Sequence, residues 1–339
     1  MNLGAMARPK ARGRVHPVWI GMAAAIALLV WLAVELAGSG LTHPRYPEML
    51  QAARAVQAAQ TVMWNDKVAL GLAQGPDFDP NQTGMIGSEY TELTSTLGDL
   101  PSKRTTTNPD FAAAMVRIIS RLHLPAGTPV VVIISGSFVG GDIATIAALE
   151  ALQLEPILLS SLTASMFGAN DVGYNLLDIF EALHERQVIR TAPIAAVLGA
   201  DGAVGGGIDA AALAELEADA ARTGVPIVVA EPLSALIDLL MRRIDAALDG
   251  GRPGLVINVG GASIGLGSCE ESYAFPVGLT EQQIPCTNGT PGVAMRLAEQ
   301  GLPVLNVLEI RRLALEMGLP FDPVPLPGPG NNRAVYGPE

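Results

Sequence analysis

An α/β fold, with a mainly parallel sheet and helices on both faces, is the class this sequence predicts. Apolar strand-like runs and helical periodicities alternate from residue 109 onward, an order that builds a parallel sheet through right-handed crossovers. Four of the strands end in Gly, Ser and Asp. The ends are Ser135-Gly-Ser137 after 130–134, Ser160-Ser161 closing 156–160, Gly199-Ala-Asp201-Gly202 after 194–198, and Gly260-Gly261-Ala-Ser263 after 255–259. Ligands sit at the carboxyl ends of parallel strands, so four such ends in register predict one crevice rich in backbone N–H groups and hydroxyls.

Near the amino end, Arg8, Lys10, Arg12 and Arg14 precede a run from Val15 to Val34 that holds no Lys, Arg, Asp or Glu, with Trp19 and Trp31 toward its ends. Roughly 20 apolar residues span a bilayer core, so a basic cytoplasmic tail at 1–14 and a transmembrane helix at 15–37 are expected. The basic flank places the amino terminus inside and the remainder outside the cytoplasm. A cleaved signal peptide is the alternative, since Leu36-Ala-Gly-Ser-Gly offers small residues. Residues 38–75 read as a linker, Thr42-His-Pro-Arg-Tyr-Pro47, and a helix that either packs on the domain or serves as a stalk.

The extracytoplasmic domain is placed at 76–321. Residues 75–108 show no clear period and are dense in hydroxyls, a stretch expected to be a loop. Its Lys103 and Arg104 are candidate carboxylate-binding groups. Asn108-Pro109 then opens a helix to about 124 with a capping side chain and a Pro in the first turn. Val130-Val-Val-Ile-Ile-Ser-Gly-Ser-Phe-Val-Gly-Gly-Asp142 follows, five β-branched residues turned by two hydroxyls and three glycines into a helix near Asp142. Further helices are expected at 142–153, 174–189, 209–223, 233–249, 291–300 and 307–318, and further strands at 226–230 and 303–306. The Pro/Gly-rich tail, 322–339, is expected to run over the surface.

Composition restricts function. Formal net charge is −12. Beyond residue 14 there are 17 basic against 33 acidic residues, a balance of −16, with no basic stripe. Such a chain is not a nucleic-acid binder, and an anionic substrate must be met at a discrete site. Aromatics are 4% of residues, so the sheet is packed by aliphatics. Cys269 and Cys286 are the two cysteines. Outside the cytoplasm they form a plausible disulfide, worth about 3 kcal/mol for a loop of this length. No metal site and no cofactor are expected.

Several residues could carry chemistry. Ser137 and Ser135 are candidate nucleophiles, and with Gly136 they could instead orient an anion at a helix amino terminus. Gly261-Ala-Ser263-Ile-Gly265 matches the G-x-S-x-G elbow in letters. No histidine follows His184, however, so a Gly-rich turn is the better reading. Asp201 could act as acid or base, or pair with Glu231 at another strand end. Ser160, Ser161, Gly202, Gly260, Gly261 and Ser263 complete the candidate ligand-binding set.

The order of Gly87-Ser-Glu-Tyr-Thr, Lys103-Arg-Thr-Thr-Thr-Asn-Pro, Ser135-Gly-Ser-Phe, Ser160-Ser, Ala169-Asn and Thr287-Asn-Gly-Thr-Pro-Gly behind a membrane helix resembles the bacterial poly-gamma-glutamate system protein family. The resemblance spans nearly the full chain. It implies a membrane-anchored, outward-facing accessory in the synthesis, export or processing of poly-γ-glutamate, with the polymer or its synthase complex and the cytoplasmic membrane as partners. It assigns no active residues. Two alternatives are open: a γ-glutamyl amide hydrolase or transpeptidase with a Ser nucleophile, and a tethered small-anion binding protein.

Overall fold

The computed structural model describes residues 16–38 and 42–338. The basic tail expected at 1–14 lies outside the described residues. The chain divides into two compact units, Met1–His43 with Pro338–Glu339, and Pro44–Gly337. The first carries α1, Pro17–Gly38, on which Trp19, Leu29 and Trp31 are exposed. Among the described residues no helix is long and apolar enough to cross a membrane, so the span expected at 15–37 is not shown by them.

The second unit is built on six strands: β1 (Pro129–Ser135), β2 (Glu155–Ser161), β3 (Ala195–Val197), β4 (Leu255–Val259), β5 (Gly278–Thr280) and β6 (Val304–Val307). Their spatial order is β3-β2-β1-β4-β6-β5, parallel throughout except for the edge strand β5. The sheet is therefore mixed but mostly parallel. Strands β1 to β3 wind outward in one direction, and β4 returns to the other side of β1. The winding reverses between β1 and β4, and at such a switch point the two adjoining strand ends diverge and leave a crevice.

Alternation along the strands divides the core in two. Val130, Val132 and Ile134 face one aliphatic cluster, whereas Val131 and Ile133 face the other. The first is covered by α2 (Tyr46–Leu70), α4 (Pro109–Ser120) and α5 (Val139–Ala151), and the second by α8 (Leu233–Leu248) and α10 (Val293–Glu299). Burial on both faces explains why the strands read as continuous apolar runs. A third, smaller cluster lies under α7 (Ala210–Thr223).

Of the two readings of the helix in 38–75, packing on the domain is the one observed: α2 belongs to the compact unit, burying Met49, Ala52, Ala53, Val56, Ala59 and Met63. Three other sequence expectations are corrected. Residues 75–108 are not all loop. Thr94–Thr96 pairs in parallel with Ala164–Ser165, and α3 (Leu100–Thr106) starts at Asp99, whose side chain accepts from the Ser102 N–H. Residues 226–230 make a single bridge, Ala196 to Ile227, in place of a strand; Pro226, which offers no N–H, closes the ladder on its amino side. The tail is built into the unit: Tyr336 is buried and donates to Asp110 at 2.6 Å, and Asp322 pairs with Arg104. Cys269 and Cys286 are joined as expected, with Cα atoms 5.7 Å apart.

Candidate functional site

The ends of β1, β2, β3 and β4 open onto one crevice of about 710 Å³. Ser135 and Ser137 reach it from the end of β1, Ser161 from β2, Gly199 and Asp201 from the turn after β3, and Gly261 and Ser263 from the turn after β4. The crevice lies at the switch point between β1 and β4, where ligands bind in open sheets of this kind.

Two glycines admit the hydroxyls. A Cβ on Gly260, at φ +85°, would come 2.9 Å from Ser135 Oγ. One on Gly199, at φ +86°, would come 2.6 Å from Ser161 Oγ and 2.3 Å from Thr163 Oγ1. Both positions require the left-handed backbone that glycine adopts without steric penalty. Ser135 is 3% exposed and its Oγ has no hydrogen-bond partner, although it lines the crevice. A buried hydroxyl left unpaired costs about 1–3 kcal/mol, which a bound polar group would recover.

Other candidates stand elsewhere. Gly136 is buried beneath the crevice, and its carbonyl accepts from the Ala169 N–H at 2.7 Å. Ser160 is fully buried in β2 with an unpaired Oγ. Gly202 and Gly260 shape turns without lining the crevice, and Glu231 does not line it beside Asp201. Ser263 opens α9 (Ser263–Leu266), a four-residue helix stopped at Gly267, so the G-x-S-x-G letters enter a single helical turn, with no histidine following them in the chain.

Lys103 and Arg104, adjacent in sequence, have unlike fates. Arg104 turns outward and holds both carboxylate oxygens of Asp322 at 2.7 and 2.6 Å, which engages it away from the crevice. Lys103 turns inward from α3 and is 3% exposed. Its Nζ donates to the Ser137 carbonyl, lies 2.8 Å from Ser165 Oγ and sits 5.1 Å above the Phe138 ring. Burial lowers its pKa to about 7, against the pull of Asp142 and Asp99 toward the charged form. Asp142 is wholly buried, and neither of its oxygens has a hydrogen-bond partner. Burial pushes its carboxyl well above the ordinary range, with Lys103 and the nearby Ser135 N–H opposing.

Sequence reasoning did not single out Ser165, which lines the crevice with Thr163, Thr96 and Tyr273. Its position in Ser160-Ser-Leu-Thr-Ala-Ser165, a hydroxyl-rich continuation of a strand end, was the available signal. The Lys103 contact spans 62 residues and had none. Among the described residues, Cys269, Glu271 and Cys286 bring ligand-type atoms within 4.8 Å, but the two sulfurs are bonded to each other and are no longer thiolate ligands. No family model, curated protein or solved structure matches the chain.

Proposed function

We propose that this protein is an accessory of poly-γ-glutamate synthesis, export or processing, holding γ-glutamyl chains in the switch-point crevice. The observation that carries the reading is the convergence of four polar strand ends, with Ser135, Ser137, Ser161 and Ser263 lining one crevice. Hydroxyls and bare amides are the donors that a carboxylate or amide-rich guest requires, and a discrete site is the form that a domain of this acidity demands. The resemblance to the poly-gamma-glutamate system protein family supplies the substrate class. Cytoplasmic-membrane anchoring belongs to the same proposal. It is supported by the charge-free run behind the basic cluster and by the exposed Trp19 and Trp31 of α1. A disulfide supports an oxidising compartment for the domain.

Gly261 gives the test. Its backbone needs no positive φ, and an added Cβ meets nothing within 4 Å, so Gly261→Trp places an indole at the crevice without strain at the backbone. Equilibrium dialysis with γ-linked glutamate oligomers is expected to show saturable binding that weakens at least about tenfold in the variant, an effect of about 1.4 kcal/mol. Absence of binding, or binding indifferent to Gly261→Trp, removes the crevice from the function.

A further inference from the structure

Ser165 is the crevice hydroxyl that a basic side chain touches. Lys103 Nζ lies 2.8 Å from its Oγ, within the range in which a base can take a hydroxyl proton. The other crevice serines are placed differently. Ser137 Oγ accepts from the Ser165 N–H at 3.0 Å, which fixes the backbone that carries Ser165 and leaves the Ser137 O–H free to donate. Ser135 Oγ is buried and unpaired, and Ser263 starts a short helix. Lys103 is held from two further sides, by the Ser137 carbonyl and the Phe138 ring, so its amine has a fixed direction.

We infer that Ser165 and Lys103 form a nucleophile and base pair for acyl transfer, with Ser165 Oγ attacking the carbonyl carbon of an amide or ester bound in the crevice. That the natural acyl donor is a γ-glutamyl amide rests on the function proposed above; the pair itself does not. In the first half-reaction the Ser165 hydroxyl gives its proton to neutral Lys103 as Oγ bonds to the carbonyl carbon. The carbonyl oxygen gathers negative charge, and the Ser137 O–H is placed to donate to it. The C–N bond then breaks, and the leaving amine takes the proton from the Lys103 ammonium. In the second half-reaction water attacks the Ser165 ester, gives a proton to Lys103, and releases a carboxylic acid as the proton returns to Oγ. Atoms and charge balance without oxidant, metal or cofactor. An amine in place of water gives transpeptidation.

The neutral form of Lys103 is accessible near neutral pH because burial lowers its pKa to about 7. Asp142 and Asp99, the charged groups that raise it, set the other side of the balance. Acylation is therefore expected to rise with pH and level off above about 7, as the amine loses its proton.

The test uses the full-length protein in detergent with an activated acyl ester, p-nitrophenyl acetate, and a fluorophosphonate as probes. One acyl or phosphonyl group is expected on Ser165 by intact mass and peptide mapping, absent in Ser165→Ala. Lys103→Met is expected to slow acylation by about 100- to 10,000-fold, the scale of a lost general base. If that variant does not fold, judged by circular dichroism, Ser165→Ala and the pH profile of the wild type decide the matter alone. A label that maps to another residue, persists in Ser165→Ala, or fails to form overturns the pair. Binding of γ-glutamate oligomers to Ser165→Ala is measured separately. Retained binding without labelling of the wild type refutes the pair and spares the accessory reading. Labelling of Ser165 without oligomer binding supports the pair and refutes that reading.

Discussion

Lys103 shows how one side chain's surroundings decide its chemistry. Exposed, it would be a permanent cation; buried, it releases its proton at about 7. At pH well below 7 the native and unfolded chains both hold that proton. Between about 7 and its ordinary value of 10.5 the unfolded chain holds it and the native chain does not. Stability contributed by this group therefore rises with pH across that window. Urea midpoints measured from about pH 7 to about pH 9.5 are expected to climb in the wild type and to lose most of that slope in Lys103→Met. Equal slopes in the two proteins would show that Lys103 is solvated. Lys67 is buried against a partner instead: it is 1% exposed, 2.7 Å from fully buried Asp171, and donates to the Ile86 carbonyl at 2.9 Å. Asp171 also accepts from the Ser88 N–H and Oγ, at 3.0 and 2.6 Å. Lys67→Met leaves the carboxylate buried without its counter-charge and is expected to cost about 3–5 kcal/mol, part of which Asp171→Asn restores in the double variant. A loss below about 1 kcal/mol in chemical denaturation, the scale of a surface pair, would contradict this assignment.

Among the elements, those fixed by a strong local pattern were legible from residue types alone. β4 stands at 255–259, as its four apolar residues, interrupted by Asn258, require, and α4 opens at Pro109 with the Asn108 side chain accepting from the Asp110 N–H. α5 starts three residues before Asp142, because the turn at Gly136–Phe138 is already a 3-10 helix and feeds directly into it. The elements that escaped are those stabilised by distant partners. Thr94–Thr96 exists because Ala164–Ser165 runs beside it, and β5 because β6 offers an open edge. Neither short segment has a period of its own. Lys67 hides in the same way, occupying the position that follows Met63 on the buried face of α2, with its partner 104 residues away. Local periodicity reports which face is buried; it is silent on which charge waits there.

At the scale of the molecule, the crevice was legible as four polar strand ends, but the reversal of winding that gathers them was not, because strand order is a property of long-range pairing. The base was hidden for the same reason, since α3 brings Lys103 to Ser165 from the stretch expected to be loop. On the function proposed above, the first compact unit would anchor and the second would bind. Residues 44–337 hold the sheet, its two aliphatic faces and the whole crevice, whereas α1 offers exposed Trp and Leu side chains. If these are a lipid-facing surface, removing residues 1–41 takes away the affinity for detergent micelles without touching the core. The truncated protein is expected to move from the detergent phase to the aqueous phase in a cloud-point partition, while its thermal midpoint stays within about 2 °C of the full chain, a difference on the order of 1 kcal/mol. Retention in the detergent phase would mean that apolar surface on the second unit, not α1, meets the membrane. A fall in the midpoint well beyond that range would show that α1 supports the fold itself, and the division into an anchor and an independent binding unit would have to be given up.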